Sequence, residues 1–278
     1  MFTTLPPDYE NYTTTSQNYD QTRIPIGVST IIAELSRNAK PLSEQTILDA
    51  GCGTGNYMLQ IHDEVRKIVG LDRNQEMLNC SETKLLQAGV ENFELRQSNL
   101  PEIPYEDGTF DGIMANQMIH HLDNHGDYPV LREFSQNAFK ALKPDGMLIF
   151  NTCSPQQVLE SYWYIQFIKP AAERMAQKYI PIDRLQGLFE KIGFREVKQI
   201  VNFQDLFFGE DYYNLEGPLD ASWRDGDSVW SLLTEKELDT ALEEYSKAKD
   251  ENRLEKILNR CEKRREEIGH SVFVCGMV

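Results

Sequence analysis

The chain has 278 residues, with 28 lysines and arginines against 44 aspartates and glutamates, and a net charge of −16. That excess repels phosphate backbones and anionic lipid surfaces, so neither nucleic acid nor membrane is an expected partner. No run of 18 apolar residues is present to span a membrane, and residues 1–21 lack the basic and apolar regions of a secretory signal. Five scattered cysteines without a C-x-x-C pair fit free thiols in a reducing, cytoplasmic setting rather than a disulfide scaffold or a zinc site.

Residues 1–20, rich in Thr, Asn, Tyr and Pro, read as loop, and 28–35 carry an apolar pattern that suits a helix. Thr46, Ile47 and Leu48 then open a buried strand over 46–50. Asp49 closes it, Gly51-Cys52-Gly53-Thr54-Gly55 follows, and an amphipathic helix is predicted over 56–67. Glycines permit positive φ and remove the side chain that would hold a ligand off the backbone, while the helix start offers unpaired N–H groups. The spacing is G-x-G-x-G, with Asn56 where a dinucleotide fingerprint needs its third glycine, and no lysine follows Gly55 as a phosphate loop requires. Taken alone, these glycines also fit a generic turn. The strand 67–71 ends in Asp72, at the spacing where a Rossmann-like sheet places an acid that accepts ribose hydroxyl protons. Asp72 would be equally at home as an N-cap for the helix 75–88.

A third strand is predicted over 92–97, followed by Ser98-Asn99-Leu100 and a turn-rich stretch, and a fourth over 111–116. His120, His121 and His125 raise a metal reading, since His121 and His125 have helical spacing. Asp123-Asn124 and Gly126-Asp127 make this a turn, and no further ligands are in view, so no metal is expected. A helix over 128–142, the turn Lys143-Pro144-Asp145-Gly146, and a strand over 147–152 follow. Residues 154–179 read as helix with Tyr162-Trp163-Tyr164 at the centre, 182–191 as a helix closed by Gly193, and 194–201 as a strand. Residues 202–268 hold many aromatics and a long charged helix over 234–268, and 270–277 read as a last strand.

Leu48-Asp49-Ala50-Gly51-Cys52-Gly53-Thr54-Gly55 resembles motif I of the class I S-adenosylmethionine-dependent methyltransferases. Gly108-Thr109-Phe110-Asp111 before a strand resembles the family's motif IV, and the Leu142-Lys143-Pro144-Asp145-Gly146-Met147-Leu148 junction and the His-His-Leu run at 120–122 are similar to its other hallmarks. The resemblance covers residues 19–200 and 270–277 and is specific through the combination of motifs. It implies an α/β fold: a Rossmann-like, seven-stranded, mostly parallel sheet with helices on both faces and a helical, aromatic cap before the last strand, which the family inserts antiparallel between strands five and six. The expected parts are a lid segment and first helix (1–45), a core (46–201), the cap (202–268) and the closing strand (269–278).

The resemblance also implies S-adenosyl-L-methionine as cofactor. Gly51, Gly53 and Gly55 would pass under its methionine part, Asp49 would help fix its ammonium end, and Asp72 would take the ribose. Asn99 stands where the family commonly has an acid against the adenine amino group; its amide oxygen can still accept, and the Leu100 N–H would serve the ring. Asn116 and Gln117 would form the cofactor edge of the cleft, and Tyr19 with Arg23 a lid near the methionine end. His120 or His121 would be the base if the acceptor needs one. The expected reaction is in-line methyl transfer to an O, N or S nucleophile of a small molecule. The aromatics at 162–164 and in the cap fit either core or a cage for a cationic acceptor. A non-catalytic S-adenosylmethionine- or S-adenosylhomocysteine-binding protein, a nicotinamide-dependent oxidoreductase (disfavoured by Asn56) and a protein methyltransferase are the alternatives, and the oligomeric state is left open.

Overall fold

The computed structural model describes residues 24–123 and 126–278, so the expected lid residues Tyr19 and Arg23 lie outside the described residues. Strands β1 (Thr46–Ala50), β2 (Lys67–Asp72), β3 (Phe93–Gln97), β4 (Phe110–Asn116), β5 (Leu142–Thr152), β6 (Arg195–Asn202) and β7 (Ser271–Met277) form one sheet in the order β3-β2-β1-β4-β5-β7-β6. The first five pair in parallel, and β7 lies antiparallel between β5 and β6. Strand order reverses between β1 and β4, and at such a switch point the connections diverge and leave a crevice at the carboxyl ends.

All of β1 is buried, as a strand covered on both faces must be. Side chains alternate: Ile47 joins a cluster on one face, Leu48 and Ala50 a cluster on the other. The Ile47 face is covered by α1 (Val28–Leu35), α2 (Asn56–Ile61) and α3 (Gln75–Gln87). The Leu48 face carries α4 (Pro129–Ala141); the chain then leaves the sheet through α5 (Pro155–Glu160) and α6 (Lys169–Ala176) and returns to that face as α7 (Ile182–Ile192). Between β6 and β7 come α8 (Ala221–Arg224), α9 (Glu235–Asp250) and α10 (Leu254–Ile268). They build a third apolar cluster, which also takes in Val158, Trp163, Tyr164 and Met175 from the α5–α6 region. No helix among the described residues is long and apolar enough to cross a membrane.

Three predicted helices are shorter than their patterns. The one expected over 56–67 stops at Ile61, because the Asn92 side-chain amide donates to His62 O (2.7 Å) and Val65 O (2.9 Å) and ties off the chain as a turn. The stretch 154–179 divides into α5, a 3₁₀ turn over Trp163–Phe167, and α6, which starts afresh around Pro170, a residue tolerated only in a first helical turn. The long helix over 234–268 breaks between α9 and α10: Asn252 adopts φ 55°, and Arg253 N–H donates to Ala248 O (2.9 Å), a left-handed helix stop. Strand β5 starts at Leu142 rather than Met147, with a register shift opposite Phe110 and Gly112 that absorbs the Lys143–Gly146 bend.

Asp111, the acid of the Gly-Thr-Phe-Asp lead-in, pins the amino end of the sheet. Its Oδ2 accepts from Thr46 N–H (2.8 Å), Lys40 Nζ (3.0 Å) and Lys143 Nζ (3.0 Å). Burial alone would raise its carboxyl pKa, but the Thr46 N–H and the two ammonium groups outweigh it and hold the group below its ordinary value.

Candidate active site

At the end of β1 the N–H groups of Gly51 and Cys52 both donate to Leu71 O (2.7 and 2.9 Å), which turns the chain out of the sheet. Gly51, Gly53 and Gly55 all have positive φ. Among the described residues, beyond its chain neighbours, a Cβ on Gly53 would meet no atom within 4 Å, so a side chain there would project into the crevice. Gly55 serves another purpose: its Cβ would run into Ser81 Oγ and lie 3.1 Å from Ser81 Cβ, so it lets α3 approach the loop.

The Asp72 carboxylate joins this loop to the next element. Oδ2 accepts from Gly53 N–H (2.9 Å) and Oδ1 from Asn74 N–H (2.8 Å). Burial raises its pKa, and those backbone bonds oppose the rise. The cap of α3 is Asn74, whose side chain accepts from Glu76 and Met77 N–H, so Asp72 keeps lone pairs for a diol. Beneath the bend, Asp49 and Asn116 are 1% and 9% exposed, with Asn116 Nδ2 3.4 Å from Asp49 Oδ1. Asp49 Oδ2 and Asn116 Oδ1 are buried acceptors without a hydrogen-bond partner among the described residues. Burial first, with the charge of Asp72 adding and Asn116 opposing, pushes Asp49 up to about 7. Two orphaned acceptors under a glycine bend suit an ammonium group.

These features surround a crevice of about 430 Å³, lined by Gly51, Gly53, Asp72, Asn99, Leu100, Asn116, Gln117 and His121. Asp49 and Gly55 are not on its wall; the first lies under the bend and the second faces α3. Sequence reasoning passed over Arg73, Asn74, Met77 and Met118, which also line it. Arg73 and Asn74 directly follow the singled-out acid and were within reach of the same argument, whereas Met77 and Met118 carried no polar signal.

A smaller chamber of about 60 Å³ lies under the cap, walled by His120, Cys153, Tyr162, Tyr179, Phe207, Phe208 and Asp227 among others. Gln117 and His121 line both spaces, so the crevice and the chamber meet there. Gln117 has φ 51°, a left-handed conformation that costs a non-glycine residue about 1 kcal/mol or more. Asn151 on β5 holds it: Gln117 N–H donates to Asn151 O (2.7 Å), and Gln117 Nε2 to Asn151 Oδ1 (2.9 Å). Asn151 Nδ2 in turn donates to Tyr57 OH (3.1 Å). His120 is buried, stacked on Tyr179 with ring centroids 4.4 Å apart and against His121 at 4.0 Å.

Residues 42–205, more than half of the chain, match the family model described as a methyltransferase domain. The chain belongs to the class I S-adenosylmethionine-dependent methyltransferases. This methyltransferase is 29% identical over 172 residues to a demethylmenaquinone methyltransferase of Bacillus pumilus, covering 54% of the chain and 70% of that protein. It is 28% identical over 188 residues to one from Lactococcus lactis, covering 60% and 72%. Its fold is shared with a protein from Anabaena variabilis assigned to methyl transfer in an antibiotic biosynthesis pathway: TM-score 0.69, 19% identity, 93% of this chain and all of that one. It is also shared with Haemonchus contortus phosphoethanolamine N-methyltransferase 2 in complex with S-adenosyl-L-methionine, at TM-score 0.58 and 14% identity, covering 99% of this chain and 60% of that one. S-adenosylmethionine is the cofactor of this methyltransferase, and the diol-ready Asp72 and the orphaned Asp49–Asn116 acceptors fit it.

Proposed function

We propose that this methyltransferase acts on a small molecule held in the chamber beneath the cap, in the cytoplasm, with its cofactor in the adjoining crevice. The observation that carries this reading is the pair Gln117 and His121, which line both spaces. When bound, the cofactor supplies a methyl group already made electrophilic by a sulfonium. Asp72 would take the ribose, the Asp49–Asn116 pair the ammonium, Gly51 and Gly53 the methionine stem, and Asn99 and the Leu100 N–H the adenine. Gly55 sets the approach of α3, and Tyr19 and Arg23 remain candidates for the lid. The protein's task is then positioning: an acceptor atom held in line at the junction gains several kcal/mol over free encounter. His121 at the junction, or His120 stacked behind it, would remove a proton from an O or N acceptor that carries one.

The chamber is small, with room for roughly four to six water-sized groups, which favours a small acceptor over a protein segment. We assign residues 46–201 and 269–278 to the core and 202–268 to the cap, with 1–45 as lid and first helix. The acceptor named in the relatives is not carried over, because the matched family span ends at residue 205, before Phe207, Phe208 and Asp227.

Calorimetric titration with S-adenosylhomocysteine tests the crevice. Asp72→Ala should weaken binding about 10- to 100-fold, the loss of a charge-assisted hydrogen bond. Unchanged affinity would remove Asp72 from the cofactor site. Turnover unaffected at every pH by both His120→Ala and His121→Ala would remove the histidine base.

A further inference from the structure

We propose that the acceptor is a small amine or ammonium-bearing molecule and that Asp227, a cap residue, selects it. This rests on the chamber being the acceptor site. Its wall presents the aromatic rings of Tyr162, Tyr179, Phe207 and Phe208 and one carboxylate, Asp227, and among the described residues no lysine or arginine lines it. Asp227 Oδ2 accepts from the Tyr164 hydroxyl, and Oδ1 from Val229 N–H at 3.2 Å. Tyr164 is fully buried; burial, reinforced by Asp227, pushes its pKa well above the ordinary value, so it remains a neutral donor.

Both partners of the carboxylate are therefore uncharged. No ion pair joins Asp227 to a lysine, arginine or histidine among the described residues. A carboxylate whose charge is not cancelled, in a partly dehydrated space, attracts cations and repels anions far more strongly than it would in water. Aromatic faces carry the same preference, because their quadrupoles are negative toward the chamber. The remaining titratable wall groups among the described residues are His120, His121, Cys153, Tyr162 and Tyr179.

The charge also suits the chemistry. An acceptor that enters as an ammonium first gives a proton to water or His121. The freed nitrogen lone pair then forms the new carbon–nitrogen bond while the methyl–sulfur bond breaks with its pair left on sulfur, and any remaining N–H proton leaves the same way. Positive charge thus moves from sulfur to nitrogen, and a fixed carboxylate with aromatic faces stabilises it where it arrives. Asp227 lies outside the matched span, so this selection belongs to the cap of this chain.

Three compact probes of similar shape test the idea: tetramethylammonium, neutral tert-butanol and anionic trimethylacetate. Each is titrated calorimetrically into the full chain, with and without S-adenosylhomocysteine. Tetramethylammonium should bind at least tenfold more tightly than tert-butanol, and trimethylacetate more weakly than either. Asp227→Asn should abolish the preference, while Asp227→Glu and Tyr164→Phe, which keep the charge, should retain it. Equal binding of cation and neutral probe, preference for the anion, or an unchanged preference in Asp227→Asn would overturn the proposal. If wild-type Asp227 selects the cation but S-adenosylhomocysteine does not bind, the crevice assignment fails and the charge selection stands; the reverse pattern sinks the charge selection alone.

Discussion

Asp49→Asn probes the floor of the site without touching its wall. In the folded chain the Asp49 carboxyl titrates at about 7, against an ordinary 3.8, because burial disfavours the charged form. The unfolded chain therefore releases this proton near pH 4 and the folded chain near pH 7. Between those values the folded state binds more protons, so stability falls as pH rises and levels off above about 7. At about 1.4 kcal/mol per unit, the cost grows by about 3 kcal/mol between about pH 5 and pH 8. Asn removes the titration while keeping an oxygen for Asn116. The stability advantage of Asp49→Asn should thus be about 3 kcal/mol larger at the higher pH, read as a melting-temperature gap widened by about 6–12 °C. A cationic ligand above Asp49 would draw the carboxyl back to its charged form, so saturating S-adenosylmethionine should shrink the gap at the higher pH. A gap that is the same at both pH values would refute the reasoning.

Gly55→Ala forces an L side chain to φ +79° against Ser81 and should destabilise the fold by about 2–4 kcal/mol in chemical denaturation; adding Ser81→Ala removes the Oγ clash and should restore part of that, leaving about 1 kcal/mol of backbone strain and the 3.1 Å approach to the residue-81 Cβ. A fully stable Gly55→Ala would show that α3 does not press on the loop. His270 is buried with no hydrogen bond to either ring nitrogen among the described residues, and burial, then the charge of Arg265, lowers it to about 3 from 6.5. As pH falls below 6.5 the unfolded chain takes up a proton that the folded chain refuses, so stability should drop by about 2 kcal/mol at pH 5. His270→Phe should lack that acid-side loss, and an equal loss in both proteins would contradict it.

Much of the core was legible because its signals are local. Strand β1, the glycine bend and the acid ending β2 lie within one short stretch, and spacing alone relates Gly51 to Asp72. The last strand was legible in its residues, but its antiparallel place between β5 and β6 only through family resemblance. What escaped notice depends on distant pairings: Asn151 clamping Gln117, Asn92 cutting off α2, and Tyr164 holding Asp227 join residues 27–63 positions apart, and no periodicity announces them. Helix ends were missed where a left-handed asparagine or a side-chain amide intervened within an unbroken amphipathic pattern. Asp111, noted as part of a motif, serves the sheet's amino end, away from the crevice. Sequence similarity to a motif marks that a residue matters without saying for what.

The cap departs from Asn202 and rejoins at Ser271, which pair across β6 and β7, so its two ends sit one strand spacing apart, about 5 Å. In the sheet β6 bonds to β7 alone. A ribosome must therefore emit the whole insertion before that edge can be completed, which makes the acceptor enclosure and the finishing of the scaffold a single late event. The same closeness of ends frees the insertion in another sense: any segment whose termini meet a few ångströms apart could replace it, so new acceptor ranges could be grafted while the nucleoside-binding half keeps its register.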